Sequence, residues 1–412
     1  MPVLDDAMHR WIGDLDSSSL PAQQPDPERR DRQHVLISVD DHLVEPPDIF
    51  TSRVPANLRD RVPRVVEEDN GREYWLVDGA LVENSCGNAT AGFPEDEDIA
   101  IMPIRFDEIR SGTWNIADRV KDMDINGVWA SVGFPSMVFG FAGQRVSALR
   151  DPKIGQVCVK AYNDWVLDEW AGPYPDRIIP AGITWFGDPE LAAQEVYRTA
   201  ARGMKAVNFS ENPSKLGYPS INSGAWDPFL RACEETDTVI NLHIGSSSEV
   251  IQPSPDSPID TIVTLFGVNA IIAATEWIFS AVCVRFPKLN IALSEGGIGW
   301  VPMLLDRLEY ERRRPRSLSW NQDIAPADVL RRNFWFASFW DPSMWVLRDR
   351  IGIDHIMLEV DYPHVDGTWP NSQPLLSEQL AGLPPEDARK VAAENAARLY
   401  RHPMPSKLDW DL

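Results

Sequence analysis

Eight short apolar runs rich in β-branched residues recur along the chain, and amphipathic segments with helical spacing lie between them. The runs are VLISVDDH (35–42), GVWASVGF (127–134), RIIPAGITW (177–185), MKAVNF (204–209), TVINLH (238–243), LNIALSE (289–295), NFWFAS (333–338) and DHIMLEVDYPH (354–364). Strands that alternate with helices cannot pair as hairpins, so the pattern predicts a parallel sheet. Eight such units predict closure into an α/β barrel of the (β/α)8 TIM type. A long insertion (46–114) follows the first strand, and an N-terminal arm precedes it.

Four of the runs end in side chains that bind metals: Asp40-Asp41-His42 with Glu45, then His243, then Glu295, then Asp361 with His364. Catalytic groups of such barrels sit at the C-terminal ends of the strands. Three of the seven histidines fall at these ends. Alternation along a strand lets Asp40 and His42 point the same way, while Asp41 is expected to cap the following turn. Glu45 precedes Pro46-Pro47 and is expected either to start a helix or to reach a metal. Glu295 precedes Gly296-Gly297, where a buried carboxylate without a cation would be costly; it is expected to be a metal ligand or a strong base. Pro363 stiffens the turn before His364, which is expected either to ligate directly or to support a ligand by hydrogen bonding. The candidate metal ligands are therefore Asp40, His42, Glu45, His243, Glu295, Asp361 and His364, with Glu295 and His364 also expected to be catalytic. Lys205, early on the fourth strand, is set aside as a metal bridge. The Ser246–Ser248 run lacks the order of a nucleophile triad.

The net charge of −23 argues against nucleic acid and anionic membrane as partners. Four scattered cysteines read as reduced, buried thiols of a cytoplasmic protein. The apolar segment 261–286 carries Asn269 and Glu276 and reads as a barrel-wall helix. Residues 1–33 read as a polar arm that packs on a neighbouring subunit or stays partly disordered, 34–402 as the barrel, and 403–412 as a tail. Within the insertion, EYWLVDGALVEN (73–84) carries the Asp-Gly signature of a hairpin. The insertion is expected to wall the catalytic face, with Arg105, Arg110 and Trp114 expected either to meet a bulky or phosphate-bearing substrate or to serve in surface salt bridging.

In combination and in order, these motifs resemble the second amidohydrolase family of metal-dependent TIM barrels, over roughly residues 35–400. The resemblance implies that Asp40, His42, His243 and Asp361 bind a divalent metal. One departure stands out: where family decarboxylases carry a histidine after the sixth strand, this chain has Ser294-Glu295-Gly296-Gly297. The combination DDHxxEPP, SEGGIGW and EVDYPH resembles the subgroup containing the nonheme diiron monooxygenase of platensimycin and platencin biosynthesis. That resemblance implies two irons per chain, dioxygen, an electron donor and an apolar, CoA-linked, diterpenoid-like small-molecule substrate, in a possible homodimer. The alternative is a hydrolase or nonoxidative decarboxylase with a single zinc or manganese.

Overall fold

The computed structural model describes residues 20–69, 71–95, 99, 102, 104–313 and 320–408. Eight parallel strands form one ring: β1 (Ile37–His42), β2 (Ala130–Phe134), β3 in two pieces (Ile178–Ile179 and Ala181–Ile183), β4 (Ala206–Phe209), β5 (Val239–His243), β6 (Ile291–Ser294), β7 (Phe334–Ser338) and β8 (Ile356–Leu358). β1 pairs with β2 on one side and β8 on the other. The ring closes through β3, whose first piece pairs with β2 and whose second pairs with β4. Pro180 divides the pieces because it has no N–H to give the ladder. Its carbonyl still accepts the main-chain N–H groups of Lys205 and Ala206, at 3.0 and 3.3 Å. The expected (β/α)8 barrel is the fold observed.

Alternate strand residues separate into two clusters. Leu36, Ile291, Phe336, Ile356 and Leu358 pack with helix residues such as Trp165, Trp277 and Leu304. Ile37, Val39, Val132, Ala292 and Met357 pack with one another and with Tyr400. The second set therefore lines the lumen, and both faces of every strand are covered, which is why the strands read as near-continuous apolar runs. The apolar segment sensed in the sequence folds as Ile259–Thr264, Phe266–Phe279 and Val282–Arg285. Its inner side is seated on the barrel through Ala274, Trp277 and Ile278. By length and composition alone, Ile259–Phe279 would suffice to cross a membrane. All four cysteines are free and buried.

β1 contains a bulge. Ser38 pairs with Ser131, whereas Asp41 pairs with Gly133, so one residue is gained between them. Val39 faces the lumen, and simple alternation from it would turn Asp40 and His42 outward. The extra residue shifts the phase and re-aims both toward the mouth, a known use of bulges beside active sites.

The insertion forms a three-stranded antiparallel sheet, Arg64–Glu67, Glu73–Val77 and Ala80–Val82. Asp78 and Gly79 both have positive φ, 51° and 80°, as the expected two-residue hairpin turn requires. Further along, Thr90 N–H donates to Pro363 O (2.9 Å) and Val365 N–H to Gly87 O (3.3 Å). The insertion thus crosses the segment that carries His364. Residues 20–33 lie on the chain's own insertion and barrel: Gln24 N–H donates to Gly92 O (2.7 Å), and Arg30 to Asn371 Oδ1 (2.7 Å). Residues 1–19 of the expected arm, and 409–412 of the expected tail, fall outside the described residues.

Candidate metal centre

His42 and His243 end β1 and β5, and their Nε2 atoms stand 3.1 Å apart. Each ring is tied at its other nitrogen, His42 Nδ1 to Pro135 O (3.3 Å) and His243 Nδ1 to Ile244 O (2.6 Å). A ring that donates Nδ1–H to a carbonyl keeps its Nε2 lone pair free. Two lone pairs then face each other, and carboxylates crowd the same point. His42 Nε2 lies 3.4 Å from Asp40 Oδ1 and 3.3 Å from Asp361 Oδ1. His243 Nε2 lies 3.4 Å from Asp40 Oδ2 and 3.4 Å from Glu295 Oε2. His364 stacks on His42, ring centres 3.6 Å apart, with its Nδ1 3.3 Å from Asp361 Oδ1.

Six of the seven expected ligands are thus brought together: Asp40, His42, His243, Glu295, Asp361 and His364. The seventh, Glu45, is used elsewhere. Its Oε1 accepts Ser136 N–H (3.0 Å) and its Oε2 accepts the Ser136 hydroxyl (2.6 Å), so the ligand expectation for it is corrected to a loop anchor. Asp41 does not cap its own turn. Its Oδ1 accepts from Ser38 Oγ (3.0 Å) and from Tyr362 N–H (3.1 Å), clamping β1 to the end of β8.

The three residues expected to meet substrate are engaged by the scaffold. Arg105 pairs with Asp107 and Glu67 and donates to Gly71 O. Arg110 grips Asp122 through Nε (2.8 Å) and Nη2 (2.5 Å), and reaches Asp26 as well. Trp114 packs edge-on against Phe106.

Backbone strain marks two of the site residues. Glu295 has φ 60° and Asp361 φ 56°, a left-handed conformation that costs an L-residue roughly 1–2 kcal/mol. At Glu295 the reason is visible: alternation from lumen-facing Ala292 would aim Ser294 inward, and the positive φ brings Glu295 round to His243 instead.

Glu359 is a site residue that the sequence reading passed over. It is buried; its Oε2 accepts Glu295 N–H (3.0 Å), and its Oε1 has no hydrogen-bond partner. It stands two residues before Asp361, the same spacing that singled out Asp40 and His42. Glu211, after β4, is also buried, with Oε1 3.3 Å from Asn269 Nδ2. Arg119 is buried beneath β1 and donates to the carbonyls of His42 and Gly112.

The electrostatics follow from dry crowding. Burial, then the charges of Glu359, Asp361 and Glu295, push the Asp40 carboxyl well above its usual range. Burial, then Asp361 and Glu359, do the same to Glu295. Glu359 is raised to about 8, mainly by burial. Burial lowers His243 to about 3, and burial with His364 and His243 holds His42 well below its usual value. In so dry a cluster the acids resist ionising and the imidazoles resist protonation, and a bound cation would favour the ionised form of the carboxylates. Both oxygens of Asp40, both of Asp361 and His364 Nε2 are buried without hydrogen-bond partners, an arrangement disfavoured unless something positive is held there. Two triads, Asp40–His42–His243 and His42–Asp361–His364, each bring one donor atom per residue within 4.8 Å of one another. Mixed imidazole and carboxylate donors of this kind suit zinc, manganese or iron. The residues present fit a divalent metal.

Residues 129–402 match the amidohydrolase family model. Among solved structures, an amidohydrolase from Mycobacterium avium subsp. paratuberculosis K-10 is similar at 24% identity and a TM-score of 0.68, over 89% of this chain and 99% of that one. The 5-carboxyvanillate decarboxylase of Sphingomonas paucimobilis is similar at 19% identity and a TM-score of 0.61, over 90% and 100%. The dihydroxybenzoic acid decarboxylase of Polaromonas sp. JS666, with bound manganese and 2-nitroresorcinol, is similar at 16% identity and a TM-score of 0.62, over 90% and 97%.

Proposed function

The chain belongs to the amidohydrolase family, and from that premise we propose that it is a metal-dependent hydrolase or nonoxidative decarboxylase. The observation that carries the reading is the pair of Nε2 atoms 3.1 Å apart, ringed by carboxylate oxygens without donors. Asp40, His42, His243 and Asp361 are the residues that would hold the ion. Manganese is the metal bound in a structural neighbour that decarboxylates an aromatic acid, which supports one manganese as the first ion to test. A bound divalent cation supplies Lewis-acid polarisation of a substrate oxygen and an acidified water.

The chain's own groups do the rest. In this reading Glu295 holds and delivers a proton at Oε2, and its position 3.4 Å from His243 Nε2 supports that role. In decarboxylation, the bond between the ring carbon and the carboxylate breaks, carbon dioxide leaves, and that carbon takes the proton. In hydrolysis, the same oxygen takes a proton from water as the water oxygen bonds to the substrate carbonyl carbon, and returns it to the leaving group as the bond from that carbon to the leaving group breaks. His364, stacked on His42, narrows the mouth and offers Nε2 as a second proton carrier. Phe141, 4.1 Å from the His243 ring, helps exclude water.

A second reading is favoured by one observation: the two ligand triads overlap at His42, and Glu295 Oε2, 3.4 Å from His243 Nε2, adds a further carboxylate. This supports a two-iron site, and with it the monooxygenase that the motifs resemble, using dioxygen, a two-electron donor and a bulky apolar, CoA-linked substrate. Metal counting on the purified protein separates the readings. One manganese or zinc per chain, with anaerobic turnover of an aromatic carboxylic acid, supports the first. Two irons, with product formed only when oxygen is present, overturns it in favour of the second.

A further inference from the structure

A cavity of about 250 Å³ lies beside β8, between Phe339–Trp340 after β7 and Asp366–Thr368 after β8. Trp340, Leu358, Val360, Leu375 and Leu376 give it a mainly apolar wall. Most of its polar groups are already satisfied. The Thr368 and Ser372 hydroxyls share a hydrogen bond of 2.6 Å. Gln379 accepts Asp341 N–H (2.8 Å) and donates to Phe339 O (3.2 Å).

Glu359 is the exception. It is 5% exposed, lines the cavity, and leaves Oε1 without a hydrogen-bond partner. Its other oxygen accepts the main-chain N–H of Glu295, so this one side chain joins the cavity to the strand end that carries Glu295. A buried acceptor with no donor, at the edge of an apolar space, is the signature of a missing ligand group.

We propose that this cavity receives one arm of the substrate, an apolar body ending in a hydrogen-bond donor, a hydroxyl or a primary ammonium, which Glu359 accepts. Glu359 is then a specificity-determining residue. Glu359 and Asp366 both line the cavity, and no lysine or arginine does among the described residues. A carboxylate or phosphate terminus therefore meets no cation there to offset the cost of its desolvation and is disfavoured. The volume falls just below the roughly 300 Å³ at which sites for whole drug-sized ligands begin, so the occupant is about one ring with its substituent. Calling the occupant a substrate rests on the metal-enzyme reading; the binding itself does not.

The test is calorimetric titration of the full chain, as purified and after chelation, with benzyl alcohol, benzylamine and benzoate, alongside Leu375→Trp and Glu359→Gln. Benzyl alcohol and benzylamine are expected to bind, and each to weaken at least tenfold in Leu375→Trp, which fills the cavity. Glu359→Gln is expected to weaken benzylamine at least tenfold and benzyl alcohol less. Benzoate is expected to bind the chelated protein at least tenfold more weakly than benzyl alcohol. Equal binding of benzoate and benzyl alcohol after chelation, or affinities unmoved by Leu375→Trp, would overturn the proposal. Should Leu375→Trp fail to fold, Trp340→Ala, which removes one wall, must weaken both neutral and cationic probes at least fivefold. Metal content of the same samples reports on the metal-enzyme reading separately, because probe binding persists in chelated protein whether or not that reading fails.

Discussion

Glu45 holds Ser136 by its main-chain N–H and its hydroxyl, and the residue just before Ser136, Pro135, gives its carbonyl to His42 Nδ1. A carboxylate that never reaches the metal cluster therefore sets which nitrogen of His42 faces it. Glu45→Ala should retain most bound metal but lower metal affinity by about tenfold to a hundredfold, the range for removing an orienting partner. Stoichiometry matching the wild type at saturating metal, with a raised Kd, is the expected result. Complete loss of binding at any concentration would restore Glu45 as a ligand.

The same residue predicts a pH dependence. Burial raises the Glu45 carboxyl from 4.5 to about 7. The folded chain thus keeps its proton between those values while the unfolded chain releases it, and stability falls as pH rises through this window. The effect is on the order of 3 kcal/mol from one fully buried group. Glu45→Gln lacks this penalty, so its stability deficit relative to the wild type should be largest near pH 5 and shrink by pH 8. Denaturant unfolding at both pH values measures it, and a deficit that grows with pH would contradict the assignment.

Removing a charge from the cluster should separate folding from binding. Asp361 has two buried oxygens without hydrogen-bond partners, so Asp361→Asn relieves repulsion in the metal-free chain. Its metal-free melting temperature is expected to equal or exceed that of the wild type. Its stabilisation by manganese, about 2.7 kcal/mol for a wild type at a hundred times Kd, is expected to vanish. A variant that still gains stability with manganese would show that Asp361 does not ligate.

Glu295 is predicted to matter more for turnover than for the ion. Glu295→Gln keeps the size of the side chain but cannot pass a proton. The turnover of an accepted aromatic acid should fall roughly 10²- to 10⁴-fold with metal content above half that of the wild type. A full rate in this variant would remove Glu295 as the proton carrier.

Arg119 is the buried cation under the site. It donates to His42 O and Gly112 O, and lies over the rings of Tyr362 (4.3 Å) and Trp170 (5.2 Å). Arg119→Met strands two carbonyls and leaves the buried Asp41 without its cation, which should cost about 3–5 kcal/mol. Arg119→Lys should recover only part of this, because an ammonium offers its donors from a single nitrogen, whereas Arg119 reaches Gly112 O and His42 O from Nε and Nη2. Urea denaturation distinguishes the two outcomes.

Much of this was legible from order alone. Eight apolar runs alternating with amphipathic helices specify a parallel barrel, because strands buried on both faces need apolar side chains throughout and a helix between each pair. The Asp-Gly hairpin and the acids and histidines at strand ends were visible for the same reason: each is a local pattern with a local cause. What each carboxylate does was not. Glu45 and Glu295 look alike in sequence, yet one braces a loop and the other faces His243. That difference came from a one-residue bulge in β1, a left-handed turn at Glu295 and the packing of β2 against β1. Phase, like the hold of Pro135 on His42 and of Asp26 on Arg110, depends on contacts between residues far apart in the chain, and only folding brings those together.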